Sequence, residues 1–129
     1  MSATAAILAE LEQESATTRR VLERVPSDKL AWKPHAKSTA EILAAHDAGV
    51  AQAKSNITSI GDANLGKMWE FKTPDGKTVM TMPKAALLRT LALNHIYHHR
   101  GQLSVYLRLL DVPVPSIYGP SADEGPGGM

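Results

Sequence analysis

Cysteine is absent from the 129-residue chain. Its absence excludes a disulfide scaffold, a thiol nucleophile and any zinc or iron–sulfur centre held by cysteine. Aromatic residues are scarce, at 5% of the sequence. The hydrophobic core must therefore be built mainly from Leu, Ile, Val and Ala, a composition that suits helices.

The chain also lacks an excess of charge of either sign. It has 14 Lys and Arg against 13 Asp and Glu, a formal net charge of +1. This balance disfavours a nucleic-acid-binding protein, which normally carries a basic surface. No stretch approaches the roughly 18 apolar residues of a membrane helix, and residues 1–9 do not resemble a signal peptide. We therefore expect a cytoplasmic protein with neither nucleic acid nor membrane among its partners.

The length of 129 residues and the hydrophobic fraction of 43% are typical of one globular domain. We expect that domain to cover residues 1–118. The remaining residues, 119–129, contain four Gly and two Pro, which predicts a flexible C-terminal tail.

Hydrophobic spacing predicts two helices in the first half of the chain. From about Thr4 to Val25, apolar or small residues recur every three or four positions, as one face of an amphipathic helix requires. Residues 38–41 read Ser-Thr-Ala-Glu, which matches a capping box, and a second helix should follow to about Ile60. Its predicted inward face consists of Leu43, His46, Val50, Ala53, Ile57 and Ile60.

The second half of the chain predicts a hairpin or folded loop and then a long third helix. Residues 62–82 lack helical periodicity, and Pro74-Asp75-Gly76 is a turn signal. Thr81 or Met82 is expected to cap the third helix, with Pro83 in its first turn, and the helix should run to about Leu110. Its predicted inner face consists of Leu88, Leu91, His95, His99, Gln102 and Tyr106.

Three of the five histidines lie close together, at positions 95, 98 and 99. His95 and His99 are four residues apart, which places both imidazoles on one face of a helix. Two neutral imidazoles at that spacing can share a divalent transition metal. A buried pair that is satisfied by hydrogen bonds fits the pattern equally well.

A catalytic metal site needs a third protein ligand, with open positions for water or substrate. His46 is the candidate that helical periodicity offers, because it faces inward. The alternative for His46 is a core-lining, hydrogen-bonded histidine. Arg100 and Arg108 share a face beside the histidines, where they would be solvated, form ion pairs or contact an anion. The pattern identifies no catalytic residue.

The C-terminal half of the chain resembles the DinB-like family. The resemblance is carried by Leu93 to Leu103, Tyr106-Leu107-Arg108, Val112 to Pro115 and Tyr118 to Glu124. Leu8 to His35, with Trp32-Lys33-Pro34-His35, resembles one branch of the same family. The resemblance implies an antiparallel four-helix bundle with nickel or zinc held by three histidines. Two of these histidines would be His95 and His99, and the third would come from the second helix.

The chain departs from the family pattern in being shorter by about one helix. The segment from Ala40 to Val50 resembles the family's third helix better than its second, and on that reading the second helix and its histidine are missing. Periodicity instead keeps His46 as a ligand. Three helices cannot close a four-helix core, so an apolar face of the last helix should stay open. We therefore expect an all-α bundle with three main helices, completed by another subunit's helix in a homodimer.

Two functions remain open at this point. Relatives suggested by the resemblance include metal-dependent hydrolases and thiol-dependent transferases, and here the small-molecule substrate is unidentified. The other function is a non-catalytic binding or assembly module that has lost a complete metal site. The missing helix favours the module, whereas the intact His-x-x-x-His spacing and the C-terminal motif favour the enzyme.

Overall fold

The computed structural model describes residues 2–31 and 38–125 and is mainly helical. The first two long helices are α1, Ala3–Glu23, and α2, Thr39–Ile60, and a third, α3, covers residues 84–109. Two strands, β1 (Met68–Lys72) and β2 (Thr78–Pro83), separate α2 from α3. The prediction of three main helices is confirmed, and the segment before the last helix is a hairpin.

Each of the first two helices begins at a serine that caps it. The Ser2 hydroxyl accepts a hydrogen bond from the Ala5 amide at 3.2 Å. Ser38 and Glu41 form the predicted capping box, in which each side chain accepts from the other residue's amide. Short 3₁₀ turns follow both helices, at Ser27–Ala31 and Asp62–Asn64. Gly61 ends α2 with a φ of 62°, which favours glycine.

Helices α1 and α2 run antiparallel, because residues early in one contact residues late in the other. Lys54 bonds Glu12 at 3.1 Å, and Arg19 bonds Asp47 at 3.1 Å. The predicted inward face of α2 is confirmed, since every one of its six members is buried or half-buried. Only Ile57 among them is fully buried. Helix α2 thus packs along α1 mainly through half-buried side chains and contributes Ile57 to the buried core.

The hairpin is antiparallel and joined by the predicted turn at Pro74-Asp75-Gly76. Its strands pair Trp69 with Met82 and Phe71 with Met80. Apolar side chains thus line one face of the hairpin, and Trp69 and Phe71 stack there with ring centroids 6.1 Å apart. Pro83 ends β2 and occupies the N-cap position, one or two residues after the predicted cap at Thr81 or Met82, and the third helix begins at Lys84.

The third helix is built from three segments. An α-helical turn, Lys84–Leu87, leads into a π-helical segment, Leu88–Leu93, and α-helix resumes over Asn94–Leu109. A π-helical segment bonds residue i to i+5 and turns less per residue than an α-helix. It therefore changes which residues before and after it share a face.

The predicted inner face of α3 is wrong by about one residue. The fully buried side chains are Leu93, Arg100 and Leu107, at 2%, 3% and 1% exposure. Leu91 and Tyr106, which were predicted to face inward, are 45% and 62% exposed. In the sequence-based prediction, Arg100 lies beside the inner face instead of on it. The predicted inner face is therefore rotated about the helix axis relative to the observed one.

Two small apolar clusters form the core. Leu11, Ile57 and Leu93 form the first, and Val21, Leu107 and Val114 form the second. The second cluster depends on the segment after α3, which folds back over the helices. Arg20 donates to the Ser116 carbonyl at 2.7 Å, which fixes that segment against α1.

Residues 119–125 continue this segment. Asp123 accepts from Arg108 at 2.5 Å, and Glu124 accepts from Arg24 at 2.9 Å. Residues 126–129 and the Trp32-Lys33-Pro34-His35 motif lie outside the described residues, and the predicted flexibility of the tail stays a prediction. Across residues 2–31 and 38–125, no helix is both long and apolar enough to cross a membrane.

Candidate metal centre

The most distinctive polar feature of α3 is the His95–His99 pair. The two side chains lie on successive turns, with ring centroids 4.5 Å apart. Their Nε2 atoms are 2.7 Å apart, so both nitrogens point toward the same space. Both residues are exposed. The helix thus brings the two imidazoles together as predicted, but at its surface instead of in the core.

The proton on His99 is positioned by Gln102, one turn later. His99 Nδ1 lies 3.0 Å from the Gln102 side-chain oxygen, which can only accept a hydrogen bond. With the amide in this orientation Nδ1 carries the hydrogen, and the His99 Nε2 lone pair points toward His95. That lone pair can accept an N–H from His95 or bind a cation that His95 shares.

His46 lies on the inner face of α2, and its side chain is 17% exposed. Its Nδ1 is 3.3 Å from Asp47 Oδ1, and Arg19 holds the same carboxylate. Hydrogen bonding from His46, followed by that from Arg19, lowers the pKa of Asp47. A carboxylate on Nδ1 is the arrangement that orients the Nε2 of a metal-binding histidine.

The three candidate ligands border one groove. A cavity of about 320 Å³ is lined by His95 and His99, and a cavity of about 270 Å³ is lined by His46. Both cavities also contact Thr18 and Ile96. Helix α1 therefore forms the floor of a groove with α2 on one side and α3 on the other.

The structure does not gather the three histidines around one point. Within residues 2–31 and 38–125, no three or more His, Asp or Glu side chains lie close enough together to hold a metal ion. The pair on α3 supplies two ligand positions, and His46 remains a separate candidate across the groove. Its role as the third ligand stays a prediction.

Ser15 adds an unpartnered polar atom to the groove. Its side chain lines the cavity beside His46, and the residue is only 6% exposed. In the part of the chain that the structure describes, its hydroxyl has no hydrogen-bond partner. Leaving a buried hydroxyl unsatisfied is costly, so a bound polar group would be stabilised there.

Sequence reasoning missed the buried charges that support this helix. Arg100 forms an ion pair with Glu14 of α1 at 2.7 Å, and both side chains are nearly inaccessible. Arg108 is paired with Asp123 at the surface. Of the alternatives for the two arginines, ion pairing is therefore confirmed. Leu93, Arg100 and Leu107 are spaced seven residues apart, and this spacing is the sequence signal that could have indicated that Arg100 is buried.

Comparison with known proteins gives two matches and one negative result. A sequence model of the DinB family matches residues 31–126. The uncharacterized protein YrdA of Bacillus subtilis strain 168 is 46% identical over 43 residues, which cover 33% of this chain. Those residues are 25% of YrdA, so the match spans about a quarter of that relative. No solved structure matches the chain.

Proposed function

Because the chain belongs to the DinB family, we propose that it binds a divalent transition metal, nickel or zinc, through His95 and His99. The observation that carries the proposal is the convergence of the two Nε2 atoms, 2.7 Å apart. Imidazole nitrogen suits both metals. A hydrogen bond from His99 Nδ1 to Gln102 would leave the Nε2 lone pair free to bind the metal.

A third ligand would come from His46 or from a partner subunit. His46 already has the orienting carboxylate of Asp47 on its Nδ1. It would reach the pair if α2 moved toward α3. In the second arrangement, a homodimer places a partner's helix against α3 and completes the four-helix bundle of the family.

The activity that fits these residues is hydrolysis or thiol-dependent transfer on a small molecule. A bound divalent metal supplies Lewis-acid chemistry and lowers the pKa of a coordinated water or thiol. The groove would hold the substrate between α2 and α3, and its lining is mostly apolar, with Leu22, Leu91 and Leu103 near the histidine pair. The unpartnered Ser15 hydroxyl offers one polar contact on its floor.

Metal content per chain tests the proposal. We expect about one nickel or zinc per chain, by elemental mass spectrometry, in protein purified without chelator or a His tag. About half a metal per chain would indicate a site that two subunits share. His99→Ala should abolish binding, and the matched control His98→Ala, on an exposed neighbouring residue, should retain it. His46→Ala should weaken binding if His46 is the third ligand.

The second candidate is a non-catalytic binding or assembly module. It is favoured by the absence of a three-ligand group among residues 2–31 and 38–125. A protein that is purified metal-free and takes up no added nickel or zinc would contradict metal binding and support the module. His95 and His99 would then be a hydrogen-bonded surface pair.

A further inference from the structure

The interface between α1 and α3 contains one ionic layer between two apolar layers. On α3, the buried residues Leu93, Arg100 and Leu107 are seven residues apart. Leu93 packs in the cluster with Leu11 of α1, and Leu107 packs with Val21 of α1. Glu14 lies between Leu11 and Val21 along α1 and pairs with Arg100. The two helices therefore run parallel, with the charged pair in the middle of their contact.

The Arg100 guanidinium is held from several directions. It donates to the Glu14 side chain at 2.7 Å, to the Glu14 carbonyl at 3.1 Å and to the Tyr118 hydroxyl at 2.6 Å. The Tyr118 hydroxyl in turn donates to Glu14 at 2.9 Å. The rings of Tyr97 and Tyr118 lie 5.5 and 5.1 Å from the guanidinium carbon. Few rotations or translations of α3 would preserve all of these contacts.

Stability alone does not explain a buried ion pair at this position. Well-packed apolar residues often serve a protein core as well or better, because burying two charges costs solvation. A buried polar layer can instead specify how helices align, as a polar residue in a coiled coil fixes register. If α3 slipped by seven residues, the guanidinium would face Leu11 or Val21, and Leu93 or Leu107 would face the Glu14 carboxylate. A wholly apolar interface would tolerate the same slip, because every layer would still meet an apolar layer. The ionic layer therefore disfavours the alternative alignment.

We propose that Arg100, held by Glu14, is a positioning residue that fixes the register and rotation of α3 and thereby directs His95 and His99 into the groove. His99 precedes Arg100 and lies about 100° away around the helix. Anchoring Arg100 against α1 therefore sets the direction of His99. The metal measurements below rest on the proposed function, whereas the distance measurement does not.

Replacing Glu14 and Arg100 together by apolar residues distinguishes an effect on the position of α3 from an effect on the stability of the fold. In Glu14→Leu/Arg100→Met, we expect a melting temperature equal to or above that of the wild type, because the buried charges are removed together. We expect cobalt(II), titrated into metal-free protein and followed by visible absorption, to bind at least tenfold more weakly. The control is Arg108→Met, which removes an ion pair from the exposed face of the same helix, keeps the bond of Asp123 to the Val114 amide, and should leave cobalt binding unchanged.

Distance measurements test the alignment without any metal. The chain has no cysteine, so the exposed positions Gln13 and His98, as Gln13→Cys and His98→Cys, provide one spin-label site on α1 and one on α3. With labelled chains diluted in unlabelled protein, we expect one narrow distance distribution in the otherwise wild-type chain. The apolar double variant should give a broadened or two-peaked distribution.

The outcomes distinguish the two proposals. Unchanged distances, or wild-type cobalt affinity and spectrum in the double variant, would overturn the positioning role. If the wild type binds no cobalt but the distances broaden in the variant, the positioning role stands and the metal proposal fails. If the double variant does not fold, Arg100→Lys is measured instead. It keeps the charge but loses the forked contacts, and it should show the same loss of alignment to a smaller degree.

Discussion

At the scale of single residues, paired charges hold α3 to α1 in two places. Arg100 and Glu14 form the buried pair. Nearer the start of the helix, Arg89 forms two hydrogen bonds to Glu10, at 2.6 and 2.7 Å. The Tyr97 hydroxyl donates to the same carboxylate. Arg89 and Tyr97 are eight residues apart, which is about 80° around an ideal α-helix. The π-helical segment Leu88–Leu93 turns less per residue and so reduces that angle. Both side chains can therefore contact Glu10.

The Glu10 cluster predicts a pH dependence of stability. Hydrogen bonds from Arg89 and then Tyr97 lower the pKa of Glu10 from 4.5 to about 2. Because the carboxylate is favoured in the folded state, its contribution is present above pH 4.5 and is lost as the pH falls toward 2. The pair is partly exposed, so we expect only about 1 kcal/mol from it. Urea unfolding of Glu10→Gln should show a deficit of that size at pH 7 that shrinks at pH 3.

Glu12→Gln is the matched control, because Glu12 is an exposed carboxylate on the same helix with one ion pair, to Lys54. A deficit in Glu10→Gln that is equal at pH 7 and pH 3 would contradict the assignment. On the alkaline side, burial and then the bond to Glu10 raise the pKa of Tyr97 to about 12. Its contribution is therefore intact below pH 10 and is lost between pH 10 and 12.

At the scale of elements, local patterns predicted α2 and the hairpin well, because their signals are local. Ser38 and Glu41 lie within one turn, and the turn at Pro74-Asp75-Gly76 depends on three adjacent residues. The face of α3 could not be predicted in the same way. The position of Arg100 depends on Glu14, which is 86 residues away in sequence, and nothing in the local pattern indicated the π-helical segment.

The histidine site also combines a feature that local sequence predicts with features that depend on distant contacts. The spacing of His95 and His99 predicted their proximity, because four residues make about one helical turn. Their exposure and the place of His46 depend on how α2 packs beside α3. Periodicity alone cannot supply that packing.

The cap of α2 makes a prediction at the element scale. Ser38→Ala removes the acceptor for the Glu41 amide and should lower the free energy of unfolding by about 1 kcal/mol. Ser55→Ala is the control, because Ser55 is exposed within α2 and alanine is the better helix former. Chemical denaturation of both variants measures the effect. A Ser38→Ala protein as stable as the wild type would show that the box does not stabilise the helix.

At the scale of the whole molecule, residues 2–31 and 38–125 leave much of α3 uncovered. Val105, Tyr106 and Leu109 are 58%, 62% and 74% exposed. Among the residues that the structure describes, no atom lies within 4 Å of a Cβ built at Gly101, so these residues give no packing reason for a glycine in this helix. A close approach by another helix would provide one. These features support the proposal of a homodimer in which a second subunit covers α3.

Light scattering after size-exclusion chromatography tests the association. We expect a dimer at micromolar concentration for the wild type and a monomer for Leu109→Glu, because a carboxylate would be buried in the interface. Val79→Glu serves as the control, since Val79 is 56% exposed in the hairpin, away from α3's open face. A monomeric wild type would contradict the homodimer. Dimers that persist in Leu109→Glu would move the interface to another surface.

The small share of α2 in the fully buried core also has a consequence for fluctuations within the native state. Helices α1 and α3 share two apolar clusters and the ionic layer, whereas α2 contributes Ile57 alone to the buried core. Amide hydrogens in α2 should therefore exchange with solvent through local opening, well before those of α1 and α3 exchange through global unfolding. The helix that carries His46 would then be the part of the domain that opens and closes while the other two remain a fixed frame.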